Sequence, residues 1–345
     1  MVIKDPSFYK SIKGFLETYL MQQRQCSKHT QKSYRNALNL LLQYFKEELN
    51  IPYNEMSFSD LTYNNVNGFL VWLIEVRNCS TSTANNRLMA IKSFAKYTSI
   101  IDPERIYFQA ELSNIELKKS PTKAVEFLSE SALQVFLKQP DIKTDKGKRN
   151  FIIILLMYDT AARCSEIASL RVGDFNLTSN KPTVFLHGKG NKTRQVPISD
   201  KVAKHLQHYL DSFHPISTRN DENYMFYTVR CGKRSSISTD AISLFIKNYG
   251  TSARKECLEI PEHIHPHMIR HTRAMHLYRN GMPLVLLSEF LGHSNVNTTR
   301  IYAWADTEMK RKAIQKAMHE DSDEITQDTF WENDEDLIKR LYGLK

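Results

Sequence analysis

The chain has 345 residues, 41% hydrophobic and 25% charged. That balance excludes wholesale disorder, and the length suits about two domains. Lys and Arg outnumber Asp and Glu by 47 to 38, and the surplus is uneven: residues 320–345 hold nine acids against three bases, so the preceding body carries fifteen net positive charges. A strongly basic body with an acidic tail points to a polyanionic partner. The longest apolar run, residues 151–158, is too short to cross a bilayer, and the N-terminus lacks the shape of a signal peptide. Five scattered cysteines with no C-x-x-C pair speak against a disulfide framework or a thiolate zinc site. The chain reads as cytoplasmic, with no membrane partner.

The first hundred residues read as four amphipathic helices. Asp5-Pro6 is a helix start, followed by Phe8, Ile12, Phe15, Leu16, Tyr19 and Leu20 at helical spacing. A second helix from near Thr30 buries Tyr34, Ala37, Leu38, Leu41 and Phe45. A third spans about 64–76, and a fourth from near Ser82 carries Leu88, Ile91, Phe94 and Ala95. Four such helices suit one small bundle. The outward faces of the second and fourth carry Lys28, Thr30, Lys32, Arg35 and Asn36, then Thr83, Asn86, Arg87 and Lys92. These residue types contact phosphates and base edges, or simply form a solvated face.

Periodicity fades over residues 102–126, where a basic, proline-containing stretch at 117–123 reads as an interdomain linker. Beyond it, residues 148–161 form an apolar helix and 163–170 a short one. Thr183–Leu186 and Arg194–Ile198 flank Gly188-Lys189-Gly190-Asn191-Lys192 as a β-hairpin. Helices follow at about 199–213, 238–249, 266–279, 283–290 and 307–318. The expected architecture is mainly α with a small β-sheet: a helical N-terminal domain (1–101), a linker (102–126), an α-rich domain (127–318) and an acidic tail (319–345).

Three segments hold residues suited to chemistry. Arg163 and Glu166 share a helix face directly after the apolar helix, either as a surface ion pair, the usual reading of a lone R-x-x-E, or at a deep segment start where an arginine needs a purpose. In His265-Pro266-His267-Met268-Ile269-Arg270-His271-Thr272, the residues His267, Arg270 and His271 share a face near a helix N-terminus, which makes an anion site. His267 and His271 also have metal-ligand spacing, but Met268 breaks the H-E-x-x-H pattern and Arg270 on that face repels a cation, so no metal is expected. Leu291-Gly292-His293 precedes a short helix carrying Tyr302, with Thr298 or Thr299 as its cap.

Taken together, R-x-x-E after an apolar helix, G-K-G-N-K-T-R-x-V-P, H-x-x-R-H-T, L-G-H, and a Tyr nine residues after that His resemble the tyrosine recombinase (phage integrase) family from about residue 8 to 318. The N-terminal bundle, with S-K-H-T-x-K-S-Y and T-x-N-N-R-L-x-A-I, resembles the family's core-site-binding domain, a four-helix DNA-binding bundle. Ala161-Ala162 stands where the family commonly shows T-G, a departure that bears on the local turn. The resemblance implies Arg163 and Arg270 as the clamp on a scissile phosphate, Lys189 as the hairpin lysine with Lys192 a competitor, His267 and His293 as the active-site histidines, and Tyr302 as the nucleophile. Glu166 would orient the first arginine, and His271 would be a supporting residue. It also implies a covalent 3′-phosphotyrosyl DNA intermediate, no cofactor, and four protomers assembling on two duplexes. Double-stranded DNA with specific recombination sites would be the partner, with an accessory directionality factor as a further one and a nucleoid-associated location.

Within the family, the acidic tail leans towards integration and excision of a mobile element, against dimer resolution of the Xer type. The first helix begins close to Met1, so no arm-binding domain is expected ahead of it. A type IB topoisomerase shares the catalytic residues but not the N-terminal bundle. A non-catalytic DNA-binding relative would be expected to lack some of the six residues. The tail's Phe330, Trp331, Leu337, Ile338, Leu341 and Tyr342 would dock on a neighbouring protomer, fold back on basic surface, or stay solvated.

Overall fold

Asp5 opens the chain's first helix, α1 (Pro6–Lys13): its Oδ1 accepts from the backbone N–H of Ser7 and Phe8, and Pro6 supplies a preset φ in the first turn. The structure, a computed structural model, describes residues 2–119, 125–177, 180–188, 192–293, 295–305, 311 and 339–340. It divides into two units, residues 1–123 and 124–345.

In the first unit a π-helical stretch, Gly14–Gln23, continues α1. Then come α2 (Lys28–Glu47), α3 (Tyr63–Glu75) and α4 (Thr81–Ile101). Two helices start slightly earlier than the apolar periodicity suggests, because hydroxyl caps set the boundary. Ser27 Oγ accepts from Thr30 N–H and Ser80 Oγ from Thr83 N–H. The core gathers Phe8, Phe15, Leu41, Phe45, Phe69, Leu73, Leu88, Ile91 and Phe94. Phe15 meets Phe94 edge-on at 5.4 Å, a favoured aromatic geometry.

A fifth helix, α5 (Ile106–Ser113), stands in the stretch expected as linker, residues 102–126. It packs on α4, and Leu112 and Ile115 join the first unit's core. Two side chains on α4 hold the end of α5 and the backbone just beyond it. Lys92 Nζ donates to the carbonyls of Ser113 (3.1 Å) and Ile115 (2.6 Å), offsetting the negative end of α5. Asn85 pairs with the backbone of Lys118 in both directions (2.8 and 3.0 Å). Residues 120–124, which include the end of the basic stretch, lie outside the described residues.

The second unit is built on α7 (Asp145–Thr160), preceded by α6 (Glu130–Leu137). Ile152, Ile153, Ile154, Leu156 and Met157 are all buried, so α7 is apolar nearly all round and sits at the centre. Then follow α8 (Cys164–Ser169) and a three-stranded antiparallel sheet of β1 (Phe175–Asn176), β2 (Thr183–His187) and β3 (Thr193–Pro197), in the order β1-β2-β3. The register pairs Val184 with Val196 and Leu186 with Arg194. After α9 (Asp200–Phe213) comes a second hairpin that the periodicity does not suggest, β4 (Tyr227–Arg230) with β5 (Lys233–Ser236). The unit continues with α10 (Thr239–Glu256), α11 (Pro266–Arg279), α12 (Leu284–Leu291) and α13 (Arg300–Ala305). Apart from residues 311 and 339–340, the helix expected over 307–318 and the acidic tail lie outside the described residues. Among the described residues no helix is long and apolar enough to cross a membrane.

Candidate active site

One buried carboxylate organises the site. Glu166 lies in the first turn of α8 and is 1% exposed. Its Oε2 accepts from the backbone N–H of Arg163 (2.8 Å) and from Arg194 Nη2 (2.8 Å). Its Oε1 accepts from Arg163 Nη1 (2.8 Å) and Arg194 Nη1 (2.7 Å). Burial alone would raise the Glu166 pKa. The hydrogen bonds and charges of Arg194 and Arg163 outweigh it and hold the carboxyl below its ordinary value. Arg163 remains part-exposed, and its Nη2 donates to Gly292 O at 3.4 Å.

Arg194 is a site residue that motif spacing alone does not single out, although it lies in the hairpin motif. The available signal is strand phase. Arg194 sits two residues before Val196 and opposite Leu186, so it faces the buried side of the sheet, where a guanidinium needs an anion.

Arg270 is 4% exposed and grips two backbone carbonyls: Nη1 donates to Ala161 O (2.7 Å) and Nη2 to Leu291 O (2.5 Å). Both carbonyls belong to helix C-termini. Ala161 caps α7 at φ 49°, ψ 32°, and Gly292 caps α12 at φ 64°, ψ 43°, both left-handed. The turn that Ala161-Ala162 put in question is therefore made with alanine in a conformation that ordinarily favours glycine. Burial, with Arg163 and Arg194 nearby, lowers the Arg270 pKa to about 10, which leaves it charged at neutral pH.

The histidines stay neutral. Burial, then His267, His265 and Arg270, bring His271 down to about 4; burial, then Arg270 and Arg163, bring His293 to about 4. His267 is exposed to solvent, yet its surroundings are crowded enough that desolvation, then Arg270, lowers its pKa too. Its ring centroid lies 6.5 Å from that of His271. Arg163, Arg194 and Arg270 against Glu166 thus leave the cluster cationic without help from the rings.

Tyr302 is 1% exposed, in an apolar cluster with Ala161, Ala274, Met275, Leu287 and Leu291. Its hydroxyl shares a hydrogen bond with His271 Nδ1 at 2.9 Å. Burial pushes its pKa up to about 12, with Arg270 opposing. His293 Nδ1 meets Thr299 Oγ1 at 2.9 Å, and Thr299 O accepts from Tyr302 N–H at 3.1 Å. The L-G-H turn and the tyrosine helix are therefore tied together through a buried threonine. The hydrogen bonds of Arg163 with Glu166, of Arg270, and of His271, Tyr302 and His293 thus meet on the Leu291-Gly292-His293 turn, with the His267 ring 6.5 Å from His271. Lys189 lies outside the described residues; Lys192 is exposed, and its carbonyl accepts from Gly188 N–H at 2.8 Å.

In the first unit Lys28, Lys32, Arg35, Asn36 and Asn86 are exposed along α2 and α4. Four others expected on that surface have partners inside the unit. Thr30 and Thr83 bond to their cap serines, Arg87 Nη1 donates to Cys79 Sγ, and Lys92 holds the end of α5.

Residues 126–309 match the model of the phage integrase family, and residues 12–102 match that of the phage integrase N-terminal SAM-like domain. The tyrosine recombinase XerC of Chlamydia pneumoniae is 30% identical over 321 residues, which cover 89% of this chain and 98% of that one. Two solved structures share the fold. The XerH site-specific recombinase bound to palindromic difH substrate has TM-score 0.64 at 22% identity, covering 91% of this chain and 89% of that one. The Tn1549 transposon integrase in complex with transposon right end DNA has TM-score 0.67 at 17% identity, covering 88% and 98%.

Proposed function

Because this chain belongs to the phage integrase family of tyrosine recombinases, which cleave and rejoin DNA, we propose that it is a site-specific recombinase with Tyr302 as nucleophile and Arg163 and Arg270 as the phosphate clamp. The supporting observation is that the hydrogen bonds of two arginines, and of a set holding two neutral histidines and a tyrosine hydroxyl, meet on the Leu291-Gly292-His293 turn. Attack of Tyr302 Oη on the scissile phosphorus forms an O–P bond and breaks the bond to the 5′ oxygen. The products are a 3′-phosphotyrosyl link and a 5′-hydroxyl. The tyrosine proton passes to a neutral imidazole, and Lys189 supplies the proton that the leaving oxygen takes up. Charge that builds on the nonbridging oxygens meets fixed guanidiniums, the kind of donor whose removal costs on the order of 10²–10³ in rate. The phosphotyrosyl bond keeps the energy needed for rejoining, so strand exchange needs no ATP.

In the free protein the Tyr302 hydroxyl is buried against His271, so attack requires α13 to release it. The partner is duplex DNA carrying specific sites, held by a tetramer on two duplexes with a directionality factor where one is needed. Integration and excision of a mobile element is the role we favour, on the acidic extension of residues 320–345. The XerC similarity over 89% of the chain supports dimer resolution as the second reading.

The deciding experiment is covalent trapping on a nicked suicide duplex. The wild-type protein should form a DNA adduct that survives chelator, and Tyr302→Phe should form none. No adduct on any cognate site overturns the reading in favour of a binding-only protein, and loss of the adduct with EDTA would demand a metal. Recombination between mobile-element ends, compared with recombination between chromosomal dimer sites, separates the two roles.

A further inference from the structure

Arg194 holds a place in the network that the clamp and the nucleophile do not explain. Its guanidinium reaches both oxygens of Glu166 end-on, through Nη1 and Nη2, at 2.7 and 2.8 Å. Those same oxygens hold the backbone and Nη1 of Arg163. A lone Arg163–Glu166 pair would be neutral, and a neutral pair offers little to a phosphate. The second guanidinium returns one net positive charge to the group. The geometry supports the same division of labour: Arg194 is largely buried, whereas Arg163 keeps an open edge.

Arg194 also underlies the turn before His293. A Cβ at Gly292 would stand 3.0 Å from Arg194 Cδ and 3.2 Å from its Nη1. Glycine at that cap lets Arg194 pack against the residue whose carbonyl accepts from Arg163 Nη2. On the other side, a Cβ at Gly188 would lie 3.4 Å from Glu166 Oε1. One arginine thus braces the arginine box and the histidine turn, and the hairpin base rests on the carboxylate it holds.

We propose that Arg194 is a positioning residue for DNA cleavage: by neutralising Glu166 in a fixed bidentate pair, it lets Arg163 meet the scissile phosphate as an uncompensated cation. The proposal rests on the recombinase reading above. It is specific to charge, so an uncharged phosphate separates it from a general structural role. Single-turnover cleavage is measured on two nicked duplexes, one with the natural scissile phosphate and one with a methylphosphonate. For Arg194→Met, cleavage of the natural substrate should fall on the order of 10²-fold while DNA affinity is retained. On the methylphosphonate the loss should shrink to under about tenfold, because the ground-state anion is gone and only the charge that builds on the one remaining nonbridging oxygen is left for Arg163 to offset. An equal fold-loss on both substrates, or no loss on the natural one, overturns the proposal.

Arg194→Lys covers the case in which the methionine protein does not fold. It keeps the charge but loses the fork, so a smaller loss is expected, again weaker on the methylphosphonate. Full activity of the lysine protein on the natural substrate, or equal losses on both, also overturns the proposal. If the wild-type protein itself forms no adduct, it is the recombinase reading that has failed.

Discussion

Glu166→Gln is the substitution with the sharpest consequence for stability. Each carboxylate oxygen takes two donors, four in all. A glutamine in the same pose has one acceptor and one NH2 group. With the amide oxygen at the Oε1 position, the NH2 group confronts Arg163 N–H and Arg194 Nη2. Flipped, it confronts both Nη1 groups instead. Either way two donors lose their acceptor, at about 1–3 kcal/mol each, and a buried guanidinium loses its counter-charge. The second unit should lose about 3–5 kcal/mol. Because the Glu166 pKa is held below its ordinary value, this contribution is complete above the ordinary carboxyl pKa and is lost as pH falls through the lowered one. Denaturant-dependent hydrogen exchange, read on α7 and α11 peptides, isolates this unit from the first. The control is Glu222→Gln, which removes an exposed ion pair with Arg171 and should change stability by less than about 1 kcal/mol. A Glu166→Gln loss no larger than that of the control would refute the reasoning.

Three further outcomes are expected. His271 and His293 titrate near 4 in the folded chain against 6.5 when unfolded, so the unfolded state binds more protons between those values. The second unit should therefore lose stability as pH falls from about 6.5 to about 4, by on the order of 2–3 kcal/mol per ring, and a flat profile in that window would contradict the neutral assignment. In the first unit, Lys32→Ala and Arg35→Ala should each reduce the salt dependence of DNA binding by about one in log–log slope with little effect on melting. Lys92→Met should do the reverse, destabilising the unit by about 1–3 kcal/mol with the slope unchanged. Ala161→Gly removes a left-handed strain of about 1–2 kcal/mol but forfeits a buried methyl and adds unfolded-state entropy, so its melting should move little. Ala161→Val, overpacked and β-branched at positive φ, should cost more than about 3 kcal/mol; a tolerated valine would show that the tight cap is not required.

The helices with continuous apolar stripes are legible in the sequence because burial and periodicity coincide there. The fifth helix is not: Ile106 and Tyr107 are 64% and 72% exposed, and of its eight residues only Leu112 is fully buried, so no stripe forms. The β4–β5 hairpin is hidden for a related reason. Lys233, Arg234 and Ser235 are all exposed, leaving no alternation to detect. Its two turn residues, Cys231 (φ 48°) and Gly232 (φ 73°), are both left-handed, and cysteine is not a usual signal for that turn. At the site, the family resemblance names Arg163, Lys189, His267, Arg270, His293 and Tyr302, but the sequence cannot bring them together, since they come from separate elements that only the tertiary fold joins. Strand phase marks Arg194 as facing the buried side of the sheet, but its purpose is not legible in the sequence because it depends on Glu166, which sits on a different element.

The position of Arg270 shows how the fold prepares a cation without cancelling it. A guanidinium on a residue only 4% exposed ordinarily requires a carboxylate, and a dedicated partner would cancel the charge a phosphate needs. Here the two hydrogen bonds run instead to the final turns of α7 and α12. Each helix C-terminus carries a partial negative charge of roughly one half, so two of them stabilise the guanidinium while the nearby Glu166 carboxylate bonds Arg163 and Arg194 instead. That solution needs both helices to stop abruptly with their last carbonyls turned towards one point, which is what the left-handed caps at Ala161 and Gly292 achieve. Of the two caps, Ala161 packs in the apolar cluster with Tyr302, and Gly292 makes room for Arg194. The backbone conformation of two residues thus couples the burial of the tyrosine, the charge of one arginine and the seat of the other.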